Sequence, residues 1–294
     1  MPRPEVVRRE HLKQPPFLKR VRRYVDHAWY EHRLAGRKAR FRRGQPLSDD
    51  KTVAFILGCQ RSGTTMAQRT LDRLMEVDKF EEHDPRAFRD CRIVGKEVRD
   101  ALIERSTAKC VLFKPICDSH RALELFTEHP GSRAIWIYRD YRDVANSSVE
   151  YWGDQTKMYI EDLLDGGGDW GVSQWNREKV TDECLDEIRQ ACSDGLCPHG
   201  ACALFWYMRN RLYFRQNLQD RSDTLLVRYE DTVQKPREEF ERMCRFLGLT
   251  FDPSIVADIF ATSLRRREFP KISPRIERLC DGMMDRLDRA YAGG

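Results

Sequence analysis

Short apolar runs alternate with amphipathic segments through most of the chain. Four runs predict buried strands, at residues 52–57, 110–113, 133–138 and 224–227, and Lys79-Phe80 begins a shorter fifth strand. Segments with helical spacing lie between them, so we expect an α/β fold, a parallel sheet of about five strands flanked by helices. In such sheets, ligands bind beyond the carboxyl ends of the strands.

The helices are predicted from apolar spacing and from capping residues. We expect the first helix to follow the glycine-containing loop after the first strand and to end near residue 77. Further helices are expected over 119–130, 144–152, 201–218, 235–248 and 252–263, and from about residue 274 onward. Ser119 is interpreted as the cap of the second of these helices, which Pro130-Gly131 ends.

Two segments depart from this alternation and set the expected domain organisation. Residues 1–50 form a basic arm with an amphipathic helix over about 17–35, which either docks on the main domain or contacts a membrane surface or a polyanion. Residues 51–294 form the main domain. Within it, residues 153–200 contain Gly166-Gly167-Gly168 and a charged helix, and we interpret them as a helical insertion that caps one face of the sheet.

Charge is unevenly distributed. The 294 residues contain 52 Lys and Arg against 47 Asp and Glu, a net charge of +5. Residues 1–50 have a balance of +8, whereas the remaining 244 residues have 38 basic against 41 acidic side chains. This near-neutral body argues against a uniformly cationic nucleic-acid-binding protein. A hydrophobic content of 40% excludes a disordered chain.

The same composition argues for a soluble, cytoplasmic protein. The longest stretch without a charged residue is 14 residues, 195–208, whereas a membrane span needs roughly 20 apolar residues. Arg3, Arg8 and Arg9 leave no apolar region for a signal peptide. The ten cysteines are scattered, which favours reduced thiols. The spacings of Cys184, Cys192, Cys197 and Cys202 match no zinc module, so we expect no metal.

A glycine-containing loop follows the first strand. Residues 58–65, hereafter the glycine loop, read Gly-Cys-Gln-Arg-Ser-Gly-Thr-Thr and precede a helix. In this arrangement backbone N–H groups and a helix N-terminus surround an anion. ATP-type loops have the same glycine spacing followed by a lysine, but here that position is Thr64 and the cation is Arg61. This pattern favours an anion that needs no Mg²⁺ ion.

A second basic segment follows the strand 133–138. Arg139 stands at the end of the strand, and Ser147 lies eight residues later in the next predicted helix. Arginine offers a two-pronged donor for phosphate and serine a hydroxyl. Together with the glycine loop, this pair resembles the phosphate-binding signatures of the sulfotransferases that use 3′-phosphoadenosine-5′-phosphosulfate (PAPS).

The resemblance extends over about residues 52–263. Val227-Arg228-Tyr229-Glu230-Asp231 is similar to a family segment whose tyrosine lies against the adenine, and Thr262-Ser263 is similar to a further nucleotide-contacting pair. It therefore implies binding of PAPS, and of its product 3′,5′-adenosine bisphosphate (PAP), by Arg61, Ser62, Gly63, Thr64, Thr65, Arg139, Ser147, Tyr229 and Thr262.

The resemblance also implies catalytic residues. Lys114 matches a lysine that many family members place near the leaving phosphate, and Arg61 is expected to stabilise the same charge. The phenol and steroid enzymes have a histidine where Ile116 stands. The protein-tyrosine enzymes and some glycan enzymes instead use a glutamate about twenty residues beyond the loop. Glu82 is the expected base.

Several points stay open. Glu81 and His83 are alternatives to Glu82 as the base. The C-terminal Arg-Lys-Gly loop that binds the 3′-phosphate in the phenol branch is missing. The candidates to replace it are Arg265, Arg266, Arg267 and Lys271. The expected function is transfer of a sulfuryl group to a hydroxyl, less readily an amine, of a glycan, lipid, peptide or small metabolite. The alternatives are a P-loop kinase and a non-catalytic nucleotide-binding or polyanion-binding protein.

Overall fold

The computed structural model of the protein describes residues 17–43, 51–166, 177–193, 195–260 and 268–293, with side chains from Trp29 onward. The chain divides into two compact units, residues 1–44 and 45–294. The first contains a single described helix, α1 (Phe17–Arg42), on which the guanidinium of Arg33 lies 4.5 Å from the Trp29 ring centroid.

The second unit contains the strands. In chain order they are β1 (Thr52–Gly58), β2 (Val77–Phe80), β3 (Phe88–Arg89), β4 (Arg92–Ile93), β5 (Cys110–Phe113), β6 (Arg133–Tyr138) and β7 (Thr224–Arg228). Five of them form one parallel sheet in the order β2-β5-β1-β6-β7, and β3 and β4 form an antiparallel hairpin. Because the five strands are parallel, their carboxyl ends meet at one edge.

Helices cover the sheet. They are α2 (Thr64–Leu71), α3 (Lys96–Arg105), α4 (Ala122–Glu128), α5 (Tyr141–Trp152), α6 (Gln155–Leu164), α7 (Asp182–Ala191), α8 (Pro198–Arg215), α9 (Tyr229–Gln234), α10 (Pro236–Leu247) and α11 (Pro274–Gly293). Shorter 3-10 helices are Ile116–Arg121, Leu218–Asp220 and Pro253–Val256.

The hydrophobic core lies on both faces of the sheet. Phe55 and Trp136 point to the face covered by α5, α8 and α11, whereas Ile56 and Ile135 point to the face covered by α2 and α10. Both faces of the central strands are therefore buried, which explains why those strands are continuous apolar runs.

The predicted α/β class with a five-stranded parallel sheet is confirmed, but several element boundaries differ. Residues 72–76 are not helical, because β2 begins at Val77 and pairs with β5. The predicted helix over 252–263 is wrong for its described residues: after the 3-10 helix Pro253–Val256, the carbonyl oxygen of Ile255 accepts a hydrogen bond from Arg73 Nη1 (2.6 Å). That carbonyl is the one that the next helical turn would need.

Candidate active site

Two glycines give the glycine loop its shape at the end of β1. Gly58 has φ +131°, and a Cβ there would lie 2.4 Å from the carbonyl oxygen of Ile137 on β6. Gly63 has φ +91°, and its Cβ would lie 2.1 Å from Cδ2 of Tyr229. Neither position has room for a side chain, so the loop backbone lies directly against β6 and the start of α9.

Arg61 connects the glycine loop to α5. Its Nε donates a hydrogen bond to Ser147 Oγ (3.0 Å), and its guanidinium carbon lies 4.8 Å from the Tyr151 ring centroid. Burial and the neighbouring Arg139 lower the pKa of Arg61, while Tyr151 and Glu150 oppose this shift. A guanidinium stays protonated in proteins, so Arg61 presents a partly desolvated positive charge beside the loop.

Arg139, Tyr229 and Gly63 form a stack behind this loop. The Arg139 guanidinium carbon lies 4.4 Å from the Tyr229 ring centroid, and Gly63 also lies directly against that ring. Arg139 Nη2 also donates to Asp143 Oδ2 (3.0 Å). Tyr229 is only 6% exposed. The two predicted 3′-phosphate residues thus have separate partners, Arg139 with Asp143 and Ser147 with Arg61.

Lys114 occupies the centre of the polar residues at the sheet edge. Its side chain is buried, and its Nζ donates to Thr65 Oγ1 (2.7 Å) and lies 2.6 Å from Glu82 Oε2. The register pairs Phe80 of β2 with Phe113 of β5, so Glu82 and Lys114 follow the same sheet edge. One ammonium therefore connects the start of α2 to a carboxylate beyond β2.

The three candidate bases differ in their surroundings. Glu82 is paired with Lys114, whereas Glu81 Oε2 lies 3.5 Å from Arg69 Nη2 on α2. His83 is exposed. Of these three side chains, Glu82 is the one in contact with the predicted catalytic lysine.

The 3-10 helix Ile116–Arg121 holds the segment after Lys114 against the glycine loop. Gly58 N donates to Ser119 Oγ (3.1 Å), and Ser119 Oγ donates in turn to Ile116 O (2.8 Å). Arg209 Nη2 on α8 donates to the same Ile116 carbonyl (2.7 Å). The sequence pattern predicts Ser119 as a helix cap instead, because nothing local in the sequence signals a contact with a glycine 61 residues earlier.

Buried Asp118 attaches the β3–β4 hairpin to this 3-10 helix. Its Oδ1 accepts from Arg92 Nε (2.6 Å) and its Oδ2 accepts from Ile93 N (2.8 Å). Arg92 also binds Glu178 through both terminal nitrogens, at 2.8 and 3.0 Å, and His120 Nε2 lies 2.6 Å from Glu178 Oε2. These residues carry no sequence motif, so the sequence alone does not predict their contacts.

Some predicted features lie outside the described residues: Thr262 and the candidate basic residues Arg265, Arg266 and Arg267. Among the residues that the structure describes, no cluster of His, Cys, Asp and Glu is arranged to hold a metal ion. No helix within those ranges combines the length and the apolar character needed to cross a bilayer.

Comparison with known proteins identifies a family. The family model described as "Sulfotransferase domain" matches residues 51–267, and no curated protein sequence matches the chain. The fold is similar to the sulfotransferase domain of the olefin synthase of Synechococcus PCC 7002 (TM-score 0.49, 15% identity, covering 81% of this chain and 98% of that one). It is also similar to a sulfotransferase from Alicyclobacillus acidocaldarius (0.47, 13%, 83% and 95%). A third similar structure is mouse sulfotransferase SULT7A1 complexed with PAP (0.45, 12%, 81% and 85%).

Proposed function

The chain belongs to the sulfotransferase domain family, and on that premise we propose that it transfers the sulfuryl group of PAPS to a hydroxyl of an acceptor. The observation that carries this proposal is the contact series Thr65–Lys114–Glu82, which puts a buried cation between the glycine loop and a carboxylate. Sulfuryl transfer, like phosphoryl transfer, needs a cation at the leaving oxygen and a base at the acceptor.

The donor set of the site fits a phosphosulfate. The glycine loop with Arg61, Thr64 and Thr65 follows β1, and Lys114 follows β5, so backbone N–H groups, hydroxyls and two cations lie along the carboxyl edge of the sheet. PAPS supplies the sulfuryl group, and Arg61 and Lys114 would stabilise the charge that develops on its phosphate. Arg139 and Ser147 would bind the 3′-phosphate. Since two side chains supply the cations, we expect turnover to persist in a chelator.

Glu82 would accept the proton of the acceptor hydroxyl. Its ion pair with Lys114 orients its carboxylate toward the lysine at the leaving-group side of the site. In an in-line transfer the attacking and leaving oxygens lie on opposite sides of the sulfur, so Lys114 would serve the leaving oxygen and Glu82 the acceptor oxygen.

Other features are proposed on the same basis. We assign catalysis to residues 51–294, with 153–200 as the acceptor cap, and give the basic arm 1–50 either a docking role or a role in recognising an acidic or membrane-bound acceptor. Glycans, lipids, peptides and small metabolites are the acceptor classes that we consider. We also propose a cytoplasmic location, because the scattered cysteines favour reduced thiols.

Donor binding is tested by calorimetry with PAP and ATP. We expect micromolar or tighter PAP binding, about −8 kcal/mol, and much weaker ATP binding. Arg61→Ala should weaken PAP binding roughly 10- to 100-fold, because it removes a charge-assisted contact. Arg69→Ala is the matched control, since Arg69 is exposed and pairs with Glu81. Equal affinity for PAP and ATP, with Mg²⁺-dependent ATP hydrolysis, would instead support a kinase.

The base is tested by Glu82→Gln with Glu81→Gln as control. We expect Glu82→Gln to retain PAP binding and to lower kcat about 10²- to 10⁴-fold, the usual contribution of a positioned base. Glu81→Gln should keep turnover. Transfer is measured as +80 Da products, the mass of SO₃, after incubation of PAPS and enzyme with an acceptor panel. PAP binding without any product would favour a non-catalytic nucleotide-binding protein.

A further inference from the structure

Two free cysteines lie beside the proposed active site. Cys91 is the second residue of the two-residue turn between β3 and β4 and is half-buried, whereas Cys117 lies in the 3-10 helix Ile116–Arg121 and is 5% exposed. Each thiol shifts the pKa of the other. The function proposed above uses neither thiol.

Asp118 keeps the two thiols together. Arg92 and Ile93, which follow Cys91, donate to the two carboxylate oxygens of Asp118, which follows Cys117. Both hydrogen bonds are short, and the carboxylate is fully buried. The hairpin is therefore fastened to the 3-10 helix immediately next to both cysteines, so their proximity is built into the fold.

The backbone at Cys91 is strained. Asp90 has φ +50° and Cys91 has φ +63°, as a tight hairpin turn with two left-handed residues requires. Glycine is the favoured residue at the second position, because a Cβ destabilises the left-handed conformation. A cysteine held in a conformation suited to glycine points to a use for its sulfur.

The environments of the two thiols differ. The interaction with the Cys117 thiol and the proximity of His83 lower the pKa of Cys91 to about 6, against the opposing effects of burial, Glu82 and Asp90. The same interaction and burial raise the pKa of Cys117. Cys91, which is also the more exposed of the two, is therefore the thiol that ionises more readily. An oxidant-sensing pair has this composition, one attacking and one resolving sulfur.

From this arrangement we propose that Cys91 is a site of oxidation by hydrogen peroxide and that Cys117 resolves it to a disulfide. The Cys91 thiolate attacks one peroxide oxygen, the O–O bond breaks, and the products are a sulfenic acid at Cys91 and hydroxide, which takes up a proton as water. Cys117 Sγ then attacks the Cys91 sulfur, loses its proton and displaces a second water. The two thiols supply two electrons, which reduce one peroxide, and a dithiol reductant reverses the change.

The disulfide would form next to residues of the proposed active site. Gln60 Nε2 in the glycine loop donates to Cys117 Sγ (3.9 Å), and Cys117 is three residues beyond Lys114. The charge of Glu82 acts on both thiols. Oxidation should therefore reversibly lower sulfuryl transfer. The expected loss of sulfuryl transfer rests on the function proposed above, whereas formation of the disulfide does not.

The first test maps the disulfide directly. The full chain is treated with hydrogen peroxide at neutral pH, blocked with N-ethylmaleimide and digested with trypsin without reduction. We expect peptide 90–92 linked to peptide 110–121, with fragmentation assigning the bond to Cys117 rather than to the buried Cys110. Dithiothreitol should release both peptides. Recovery of both peptides unlinked, or linkage of Cys91 to another cysteine, overturns the proposal.

Variants separate the two roles. Cys117→Ser should accumulate a sulfenic acid at Cys91 that dimedone traps, whereas Cys91→Ser should leave Cys117 reduced. Cys192 is the matched control: it is also half-buried, but burial and Glu161 raise its pKa to about 11. Iodoacetamide should alkylate Cys91 more than about tenfold faster than Cys192 at pH 7. The larger thiolate fraction of Cys91 outweighs the lower intrinsic nucleophilicity of a thiolate with a low pKa. Equal rates contradict the assignment.

Activity provides a separate readout. Peroxide should inhibit PAPS-dependent transfer by the wild type, dithiothreitol should restore it, and Cys91→Ser should resist inhibition. If the chain has no transfer activity, the linked peptides still decide the thiol chemistry. Linked peptides with unchanged turnover would refute the coupling to the active site.

Discussion

At the scale of single residues, the cation missing from the glycine loop comes from a neighbouring strand. Thr64 stands where ATP-type loops have lysine, and Lys114 reaches the adjacent Thr65 from the end of β5. The sequence motifs identified Lys114 and Glu82 separately. They could not predict the contact between the two, because that contact depends on the pairing of Phe80 with Phe113 across two strands.

The close approach of Gly63 to Tyr229 makes a testable prediction. Gly63→Ala should destabilise the fold by more than a left-handed alanine alone does, because its Cβ would overlap the Tyr229 ring. We expect about 1–3 kcal/mol beyond the conformational cost, typical of overpacking, and weaker PAP binding as the loop shifts. Urea unfolding gives the free energy of unfolding, and calorimetry gives the affinity.

Gly131→Ala is the matched control for this substitution. Gly131 has φ +81°, and its Cβ would meet no atom within 4 Å. Gly131→Ala should therefore lower the free energy of unfolding only by the cost of a left-handed alanine, about 1–2 kcal/mol. It should leave PAP binding unchanged. Equal losses of stability in the two variants would mean that the Tyr229 contact is unimportant.

At the scale of elements, the central strands were predictable and the small elements were not. β5 and β6 have the predicted bounds, because strands buried on both faces leave unbroken apolar runs. β3 and β4 are two residues each, and each contains an arginine, so they have no readable alternation. The last turn before α4 is a 3-10 helix because Ser119 bonds Gly58 across the sheet edge, an interaction that local sequence cannot encode.

Glu178 joins two elements, β4 and the 3-10 helix Ile116–Arg121, and predicts a pH dependence. Arg92 and then His120 lower the pKa of Glu178 from 4.5 to about 2, against partial desolvation. Because the folded-state pKa is the lower one, the ionised carboxylate stabilises the fold above pH 4.5, and this contribution is lost as the pH falls toward 2. Glu178→Gln should therefore cost on the order of 1 kcal/mol at pH 7, a value discounted for its 43% exposure.

Thermal unfolding between pH 7 and pH 3 measures this effect. The difference in Tm between wild type and Glu178→Gln should shrink steadily below about pH 5. Glu183→Gln is the control, since Glu183 pairs with Arg211 on the surface and is 74% exposed. A Tm difference for Glu178→Gln that stays constant with pH would rule out the ionised pair as its cause.

At the scale of the whole molecule, the family match ends before an essential part of the core. The match stops at residue 267, whereas α11 buries Ile276, Cys280 and Leu287 against α8 and the sheet. Tyr138 Oη on β6 also donates to Asp288 Oδ1 on α11 (2.7 Å). The last helix therefore belongs to the folded unit as firmly as the strands do.

Two deletions test this division. Removal of residues 268–294 should abolish cooperative unfolding, because each lost core side chain contributes about 1.5–3 kcal/mol and total stability is only about 5–15 kcal/mol. Removal of residues 1–44, the separate compact unit, should preserve both cooperative unfolding and PAP affinity. Circular dichroism and calorimetry measure the two. A soluble chain that binds PAP without α11 would contradict the first expectation. Loss of PAP affinity on deletion of residues 1–44 would contradict the second.

The strand order also determines how the chain folds while it is synthesised. β6 pairs with β1 on one side and with β7 on the other, yet 86 residues separate Tyr138 from Thr224. At 5–20 residues per second, a ribosome takes about 4–17 s to make this interval. For that time β6, with Trp136 and Ile137, is an unprotected apolar edge that can pair with another nascent chain. We therefore expect the yield of soluble protein to depend on translation speed and chaperone supply more than the stability of the finished fold would imply.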